Sequence, residues 1–303
     1  MAATFLISGG SGTIGRRLTR LLLQQGHQVS ILSRSKKTIP NVTVYQWNIE
    51  RGHIDPQAIL TADYILHLAG AGIADERWTD ERKQEIMDSR TRSASLLADA
   101  LRSNRHHVKS FVSSSGIGFY GGDTGDRPLT ETSPAGNDFL AQVVRVWERA
   151  ADEIAEQGIR TVKLRTGIVL TMEGGALPKL VQPVRLGAGA PLGTGQQYVS
   201  WIHIDDLCRI YLQAATDESW QGIFNAVGPE PVTNQALTRQ IATVLHKPLI
   251  LPKVPGFAIR LVFGELASAV LGGNYVLNKR IREETSFRYQ FPDLLPALKD
   301  LLL

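Results

Sequence analysis

The sequence predicts an α/β fold, a doubly wound parallel sheet with helices on both faces and a smaller C-terminal lobe. Three observations carry this. The first half alternates short β-rich runs with longer segments of helical periodicity, the pattern of βαβ units around a parallel sheet. A glycine-rich turn, Gly9 to Gly15, falls at the first strand-to-helix junction. After Leu170 the texture changes to GGALPKLVQPVRLGAGAPLGTGQQ, a loop-rich stretch that ends the alternation.

In chain order, TFLIS (Thr4–Ser8) reads as the first strand, and Ile14–Gln25 follows with apolar residues at helical spacing. Gly26 stands where a glycine just past the last turn ends a helix. QVSILS, VTVYQW and DYILHLAG supply the next strands. Thr79–Arg102 reads as a helix capped by Thr79, VKSFVSSS as a strand, Phe139–Gln157 as a helix and RTVKLRTGIVL as a strand. The compact run YVSWIHIDDL returns the chain to the sheet. From Pro252 onward, helices near Phe257–Leu271 and Leu294–Leu303 complete the smaller lobe. The main domain is therefore 1–170, completed by about 200–228; 171–199 and 229–303 form the second lobe.

With 303 residues, 43% hydrophobic and 20% charged, the composition is that of an ordinary globular protein. A single cysteine, Cys208, excludes an internal disulfide framework and a multi-cysteine zinc site, and fits a reducing compartment. No metal site is expected. No apolar run reaches the ~18 residues of a membrane span, and MAATFLISGG has no basic segment before its apolar run, so a cytoplasmic protein without membrane contact is expected. The net charge of +4 comes without a dense Lys/Arg block interleaved with aromatics, which argues against nucleic acid. The Phe257–Leu271 segment, interrupted by Arg260 and Glu265, reads as a buried or dimer-facing helix, compatible with a homodimer.

Gly9, Gly12 and Gly15 sit where a dinucleotide-binding motif needs them, after a strand and opening a helix. The first permits the tight turn, the second lets backbone approach a pyrophosphate, and the third lets helix and strand pack closely. Thr13 and Ile14 begin the helix whose N-terminus meets the phosphates. This is a Rossmann-type arrangement. The second strand then decides the dinucleotide, through an acid on the ribose 2′-OH or an arginine on a 2′-phosphate. Here it ends in Ser33-Arg34-Ser35-Lys36-Lys37, and no Asp or Glu precedes Glu50, whereas Arg16, Arg17 and Arg20 add to the positive field. NADP(H) is the expected cofactor.

The glycine spacing, HLAG at His67–Gly70 and SSSGIGFYGG at Ser113–Gly122 resemble the extended short-chain dehydrogenase/reductases, which include sugar-nucleotide epimerases and dehydratases. More narrowly, Arg77-Trp78, RTGIVL at Arg165–Leu170, GGAL at Gly174–Leu177 and SWIHIDDL at Ser200–Leu207 resemble the atypical epimerase-family branch, which carries a C-terminal domain of unknown function. The resemblance covers essentially the whole chain. It implies that Leu68, Ala69 and Gly70 run along the adenosine and ribose, and that Asn48 stands near the adenine. It places Arg90 at a helix position facing the cofactor, with Glu85, five residues earlier on the same helix, facing it as well, and Val169 at the nicotinamide end.

Catalysis in that family uses a Ser or Thr to hold the substrate oxygen and a Tyr-x-x-x-Lys pair on the next helix as the tuned acid/base. Ser115 matches the first role. The pair is missing: Leu140 and Val144 occupy its approximate positions, and no lysine occurs between Lys109 and Lys163. Tyr120 and His203 are the substitutes within plausible reach. The implied function is an NADP(H)-dependent oxidoreductase or epimerase-like activity on a small molecule held by Ser115, Tyr120, Trp201 and His203. The alternative is a non-catalytic NADPH-binding sensor or interaction module.

Overall fold

The computed structural model describes residues 2–303. Strands β1 (Thr4–Ser8), β2 (Gln28–Ser33), β3 (Val42–Asn48), β4 (His53–Ile54), β5 (Tyr64–His67), β6 (Ser110–Gly116), β7 (Arg160–Thr166) and β8 (Gly222–Ala226) form one sheet. Their order is β8-β7-β6-β5-β1-β2-β3-β4, and every pairing is parallel except β3 with β4. The chain winds outward from β1 to β3, then returns to place β5 on the other side of β1. The carboxyl ends of β1 and β5 therefore flank the switch point, where open α/β sheets bind ligands.

Alternation along the strands feeds two cores. Phe5, Ile7, Ile31, Leu66 and Val112 pack with the Thr13–Gln24 and Ile204–Thr216 helices on one face. Leu6, Leu32, Ile65 and Phe111 pack with the Asp80–Ser103 and Phe139–Ala155 helices on the other. Neighbours in sequence point to opposite faces because the side-chain period of a strand is two. Nearly continuous apolar strands are what a sheet covered on both faces requires. A third cluster, built on Leu177, Val181, Trp201, Leu237, Ile241 and Leu298, joins the loop-rich stretch to the final helix, Leu294–Leu302.

The caps read from the sequence form. The Thr79 side chain accepts the Arg82 N–H at 3.2 Å. Gly26, at φ +79°, ends the first helix while His27 N–H bonds back to Leu22 C=O at 3.0 Å.

Two expectations need correction. RTVKLRTGIVL is not one strand: it breaks at Gly167, and Ile168–Leu170 pairs instead with Trp201–His203. A side chain at Gly167 would collide with the Ser200 carbonyl oxygen, so only glycine lets the returning segment close against Ile168–Leu170. The Phe257–Leu271 segment is not one buried helix either. Gly264, at φ +58°, divides it into Gly256–Phe263 and Ala267–Leu271, and Phe257 and Leu261 are 73% and 78% exposed. The apolar periodicity was real, but the chain turns at Gly264 before the first half finds a surface to cover it.

Candidate functional site

The glycine turn is built by close backbone contacts. A Cβ on Gly9, whose φ is +71°, would lie 2.8 Å from the Leu68 carbonyl, and one on Gly15 would lie 2.5 Å from the Gly9 oxygen and 2.6 Å from Gly10 Cα. Both obstacles are backbone, so neither can yield cheaply. Gly12 meets only the Gly9 oxygen at 3.3 Å, which leaves its outer side open to a ligand. Gly12 caps the Thr13–Gln24 helix with no side-chain bond, and no acid lies in the first turn. The N–H groups of Thr13 and Ile14 and the positive end of the helix dipole are thus unopposed at the switch point.

A buried polar chain fixes the β5 side of the cleft. Ser8 Oγ lies 2.7 Å from His67 Nδ1 and accepts the N–H groups of Leu68 at 3.2 Å and Ala69 at 3.3 Å. Because those two donors occupy its lone pairs, the Ser8 hydroxyl proton must go to Nδ1. The other ring nitrogen then donates to Ser93 Oγ at 3.3 Å, and Ser93 donates to Ser89 C=O at 2.7 Å. Burial lowers the His67 pKa to about 3, with the Arg90 charge adding to the effect, so the ring is neutral. Gly70 follows, its α-carbon pressed on Arg90: a Cβ there would lie 3.1 Å from Arg90 Cζ.

The cations of the N-terminal segment divide into two groups. On the first helix, Arg17 pairs with Asp205 at 2.5 Å, while Arg16 and Arg20 approach Glu173. Arg34, Lys36 and Lys37 are exposed and have no acid partner among the described residues. Ser33 Oγ donates to Ser35 C=O at 2.8 Å, closing a turn that carries Arg34 outward. Asn48 is half-buried at the end of β3 and caps a turn through the Arg51 N–H at 2.9 Å. Five residues along a helix rotate a side chain about 140°, and Glu85 is exposed on an ion pair with Arg82. Val169 pairs with Ile202 beside the first helix.

The three candidate catalytic residues fall into two groups. Ser115 Oγ donates to Glu148 at 2.6 Å, and Glu148 holds Arg165 through two bonds of 2.8 and 2.9 Å. Arg165 Nη1 reaches Tyr120 Oη at 3.1 Å, and its guanidinium covers the Phe119 ring at 3.4 Å. The Tyr120 hydroxyl bonds Asn225 Oδ1 at 2.7 Å, and burial raises its pKa against the pull of Arg165. Burial alone would lower Arg165; the bonds and charge of Glu148 outweigh it and raise the guanidinium. Ser115, Tyr120, Glu148 and Arg165 therefore form one buried network across β6, β7 and the Phe139–Ala155 helix.

His203 belongs elsewhere. Its Nδ1 accepts the Asp205 N–H at 3.1 Å and caps the Ile204–Thr216 helix, while the ring stacks on Phe291 at 3.9 Å. With Nδ1 accepting, the neutral ring carries its proton on Nε2, 3.3 Å from Asp300. His203, Asp205 and Asp300 each bring one nitrogen or oxygen atom within 4.8 Å of the others. Sequence reasoning does not single out His67, Glu148 or Arg165. The available signal is a polar residue at an inward position of an otherwise apolar strand or helix face.

Residues 5–247 match the family described as NAD dependent epimerase/dehydratase, and residues 254–301 match a domain of unknown function, DUF1731. An epimerase family protein of Staphylococcus saprophyticus is 35% identical over 98% of this chain and 99% of its own. A chloroplastic Arabidopsis thaliana homolog of epimerase family protein SDR39U1 is 34% identical over 99% of this chain and 86% of its own. The crystal structure of human epimerase family protein SDR39U1 with NADPH superposes with a TM-score of 0.87 at 32% identity, covering 98% of each chain. Among the described residues no helix is long and apolar enough to cross a membrane.

Proposed function

Since the chain belongs to the NAD dependent epimerase/dehydratase family, we propose that it binds NADP(H) at the β1/β5 switch point and uses it on a small molecule in an oxidoreductase or epimerase-like reaction. The observation that carries the reading is the uncapped, acid-free helix start at Gly12–Ile14, locked by Gly9 and Gly15 against Leu68. The pyrophosphate would sit on those N–H groups, and the 2′-phosphate on Arg34 with Lys36 and Lys37 near it. The human relative's structure with NADPH supports the choice of dinucleotide.

When bound, the cofactor would supply the hydride. The chain's own part is to hold and orient the reacting oxygen. Ser115 is the group placed for this. Its proton is directed at Glu148, so it presents lone pairs and accepts a hydrogen bond from a substrate hydroxyl. Tyr120 and His203 are tied to internal partners, which leaves Ser115 without the Tyr and Lys that usually complete the reaction. Their positions are filled by Leu140 and by Val144, which is buried.

That substitution favours a second reading, an NADPH-dependent interaction module without turnover. Mixing the purified protein with NADPH and a metabolite extract, and following absorbance at the reduced nicotinamide band, separates the two. Substrate-dependent oxidation that Ser115→Ala removes supports the enzyme; NADPH binding without oxidation in any fraction supports the module. An Arg34→Ala protein should lose about tenfold in NADPH affinity and little in NADH affinity, and equal losses for both would overturn the 2′-phosphate assignment.

A further inference from the structure

The smaller lobe leaves an apolar face uncovered. The Gly256–Phe263 helix turns Ile259 inward, where it is 4% exposed, and two residues in either direction along a helix rotate a side chain by about 200°. Phe257 and Leu261 therefore stand out together on the opposite side, at 73% and 78% exposed, with exposed Arg260 beside them. Ile250, 77% exposed, and Leu251 add to the apolar run just before the helix. The same segment runs along 189–193, where Val254 bonds Pro191 and Gly193 through backbone at 2.9 Å each. Leu186, 76% exposed, closes the Ala176–Arg185 helix that leads into that stretch.

The charges of these segments have one sign. No Asp or Glu occurs between Glu173 and Asp205 or between Glu230 and Glu265, the two stretches that build the face. Arg185, Lys247, Lys253 and Arg260 are exposed, and none has a carboxylate partner among the described residues. Glu265, the first acid after the helix, is paired with Lys83 at 2.6 Å. The helix is held in place: Arg77 donates to the Leu261 and Val262 carbonyls at 2.9 and 3.0 Å, groups that the last turn of a helix leaves free. Fixed, exposed apolar groups accompanied by cations alone mark a surface for a partner that is both apolar and anionic.

We propose that this face docks on an anionic lipid surface, with Ile250, Phe257 and Leu261 entering the boundary between headgroups and acyl chains and Arg185, Lys247, Lys253 and Arg260 meeting the lipid phosphates. A second copy of the chain fits poorly, because a two-fold interface sets a patch against itself and would bring cations onto cations with no acid to pair them. Lysine is depleted in protein interfaces, whereas lysine and arginine beside projecting Phe and Leu are what a membrane surface takes. Side chains three-quarters exposed project from the fold, and a deformable acyl layer accepts them without shape matching. The chain would lie on the bilayer and need no span, so the expectation of no membrane contact, drawn from the lack of a span, does not weigh against it.

Co-sedimentation of the full chain with vesicles tests this. One set is phosphatidylcholine alone; the other is equal parts phosphatidylcholine and phosphatidylglycerol. Wild type should bind the anionic set at low salt, bind the neutral set about tenfold or more weakly, and lose affinity as salt is raised. The double variant Phe257→Ser, Leu261→Ser should lose about tenfold or more on anionic vesicles. Lys247→Gln and Arg260→Gln should each lose about fivefold. All four positions are exposed, so melting temperatures should match wild type. A Phe257→Trp protein adds a second readout: its emission should shift to the blue with anionic vesicles and be quenched by bromine-labelled acyl chains, beyond any change in wild type.

The proposal falls if wild type stays in solution with anionic vesicles at low salt, or if the double serine variant sediments as wild type does, since binding would then be charge alone or lie elsewhere. It also falls if light scattering shows a wild-type dimer that the double serine variant turns into a monomer, because the face would then be covered by a second copy. Should the serine variants fail to fold, the wild-type sedimentation and the Phe257→Trp quenching still decide it. No cofactor enters these measurements, so their outcome stands whether or not the dinucleotide reading does.

Discussion

Acidification from pH 7 to pH 5 should cost the protein about 2 kcal/mol of stability through His67 alone. The ring's ordinary value of 6.5 falls to about 3 in the fold. Between those two values the unfolded chain binds the proton and the folded chain does not, so stability rises with pH across that window and falls as pH drops below about 6.5. At about 1.4 kcal/mol for each tenfold in proton affinity, the full effect is about 5 kcal/mol near pH 3. The hydrogen-bond chain supplies a local reason: an imidazolium would set its Nδ1 proton against the Ser8 hydroxyl proton, whose oxygen already serves Leu68 and Ala69. Urea unfolding at pH 7, 6 and 5, for wild type and His67→Gln, measures it. The variant should start less stable but lose about 2 kcal/mol less between the extremes. Parallel pH slopes for the two proteins would refute the reasoning, because the remaining histidines are common to both.

Gly15→Ala should destabilise by about 1–3 kcal/mol, since its Cβ meets only backbone, and should weaken NADPH binding more than tenfold; thermal melts and fluorescence titration check both. Gly12→Ala should change stability by less than about 1 kcal/mol and still weaken NADPH, because its Cβ meets ligand space rather than the fold. A Gly12 variant as unstable as the Gly15 one would contradict the assigned roles. Glu148→Gln should cost about 3–5 kcal/mol by stranding Arg165, and the Glu148→Leu, Arg165→Leu double variant should cost less than the sum of its singles. Additive losses in that cycle would mean the two side chains are not coupled.

Much of the fold was legible because parallel α/β architecture writes itself in periodicity. TFLIS, QVSILS and the Thr79–Arg102 helix fall within a residue or two of their observed bounds, and the apolar runs needed no long-range information. The glycine turn was equally legible, since Gly9 and Gly15 answer to contacts made within a few residues or with the adjacent strand. The absence of any acidic residue before Glu50 was legible in the same way, and in the fold Arg34 is exposed.

The rest is decided by contacts between segments far apart in sequence. Glu85 and Arg90 read alike along the chain as positions of one helix, but Glu85 is exposed on an ion pair with Arg82 while Arg90 is buried. His203 looks like an available acid/base, but its ring is buried and its Nδ1 caps the Ile204–Thr216 helix through the Asp205 N–H. Ser115 looks like the last of three serines ending a strand, yet its hydroxyl donates to Glu148, which also accepts from an arginine on β7. What the sequence by itself determined is the parallel sheet, its covering helices and the glycine turn, because these follow from local propensity and from an ordered repeat of βαβ units. Which polar side chains are spent inside the protein and which keep a donor unspent, only the tertiary structure decided, because hydrogen-bond satisfaction belongs to positions in space rather than positions in the chain.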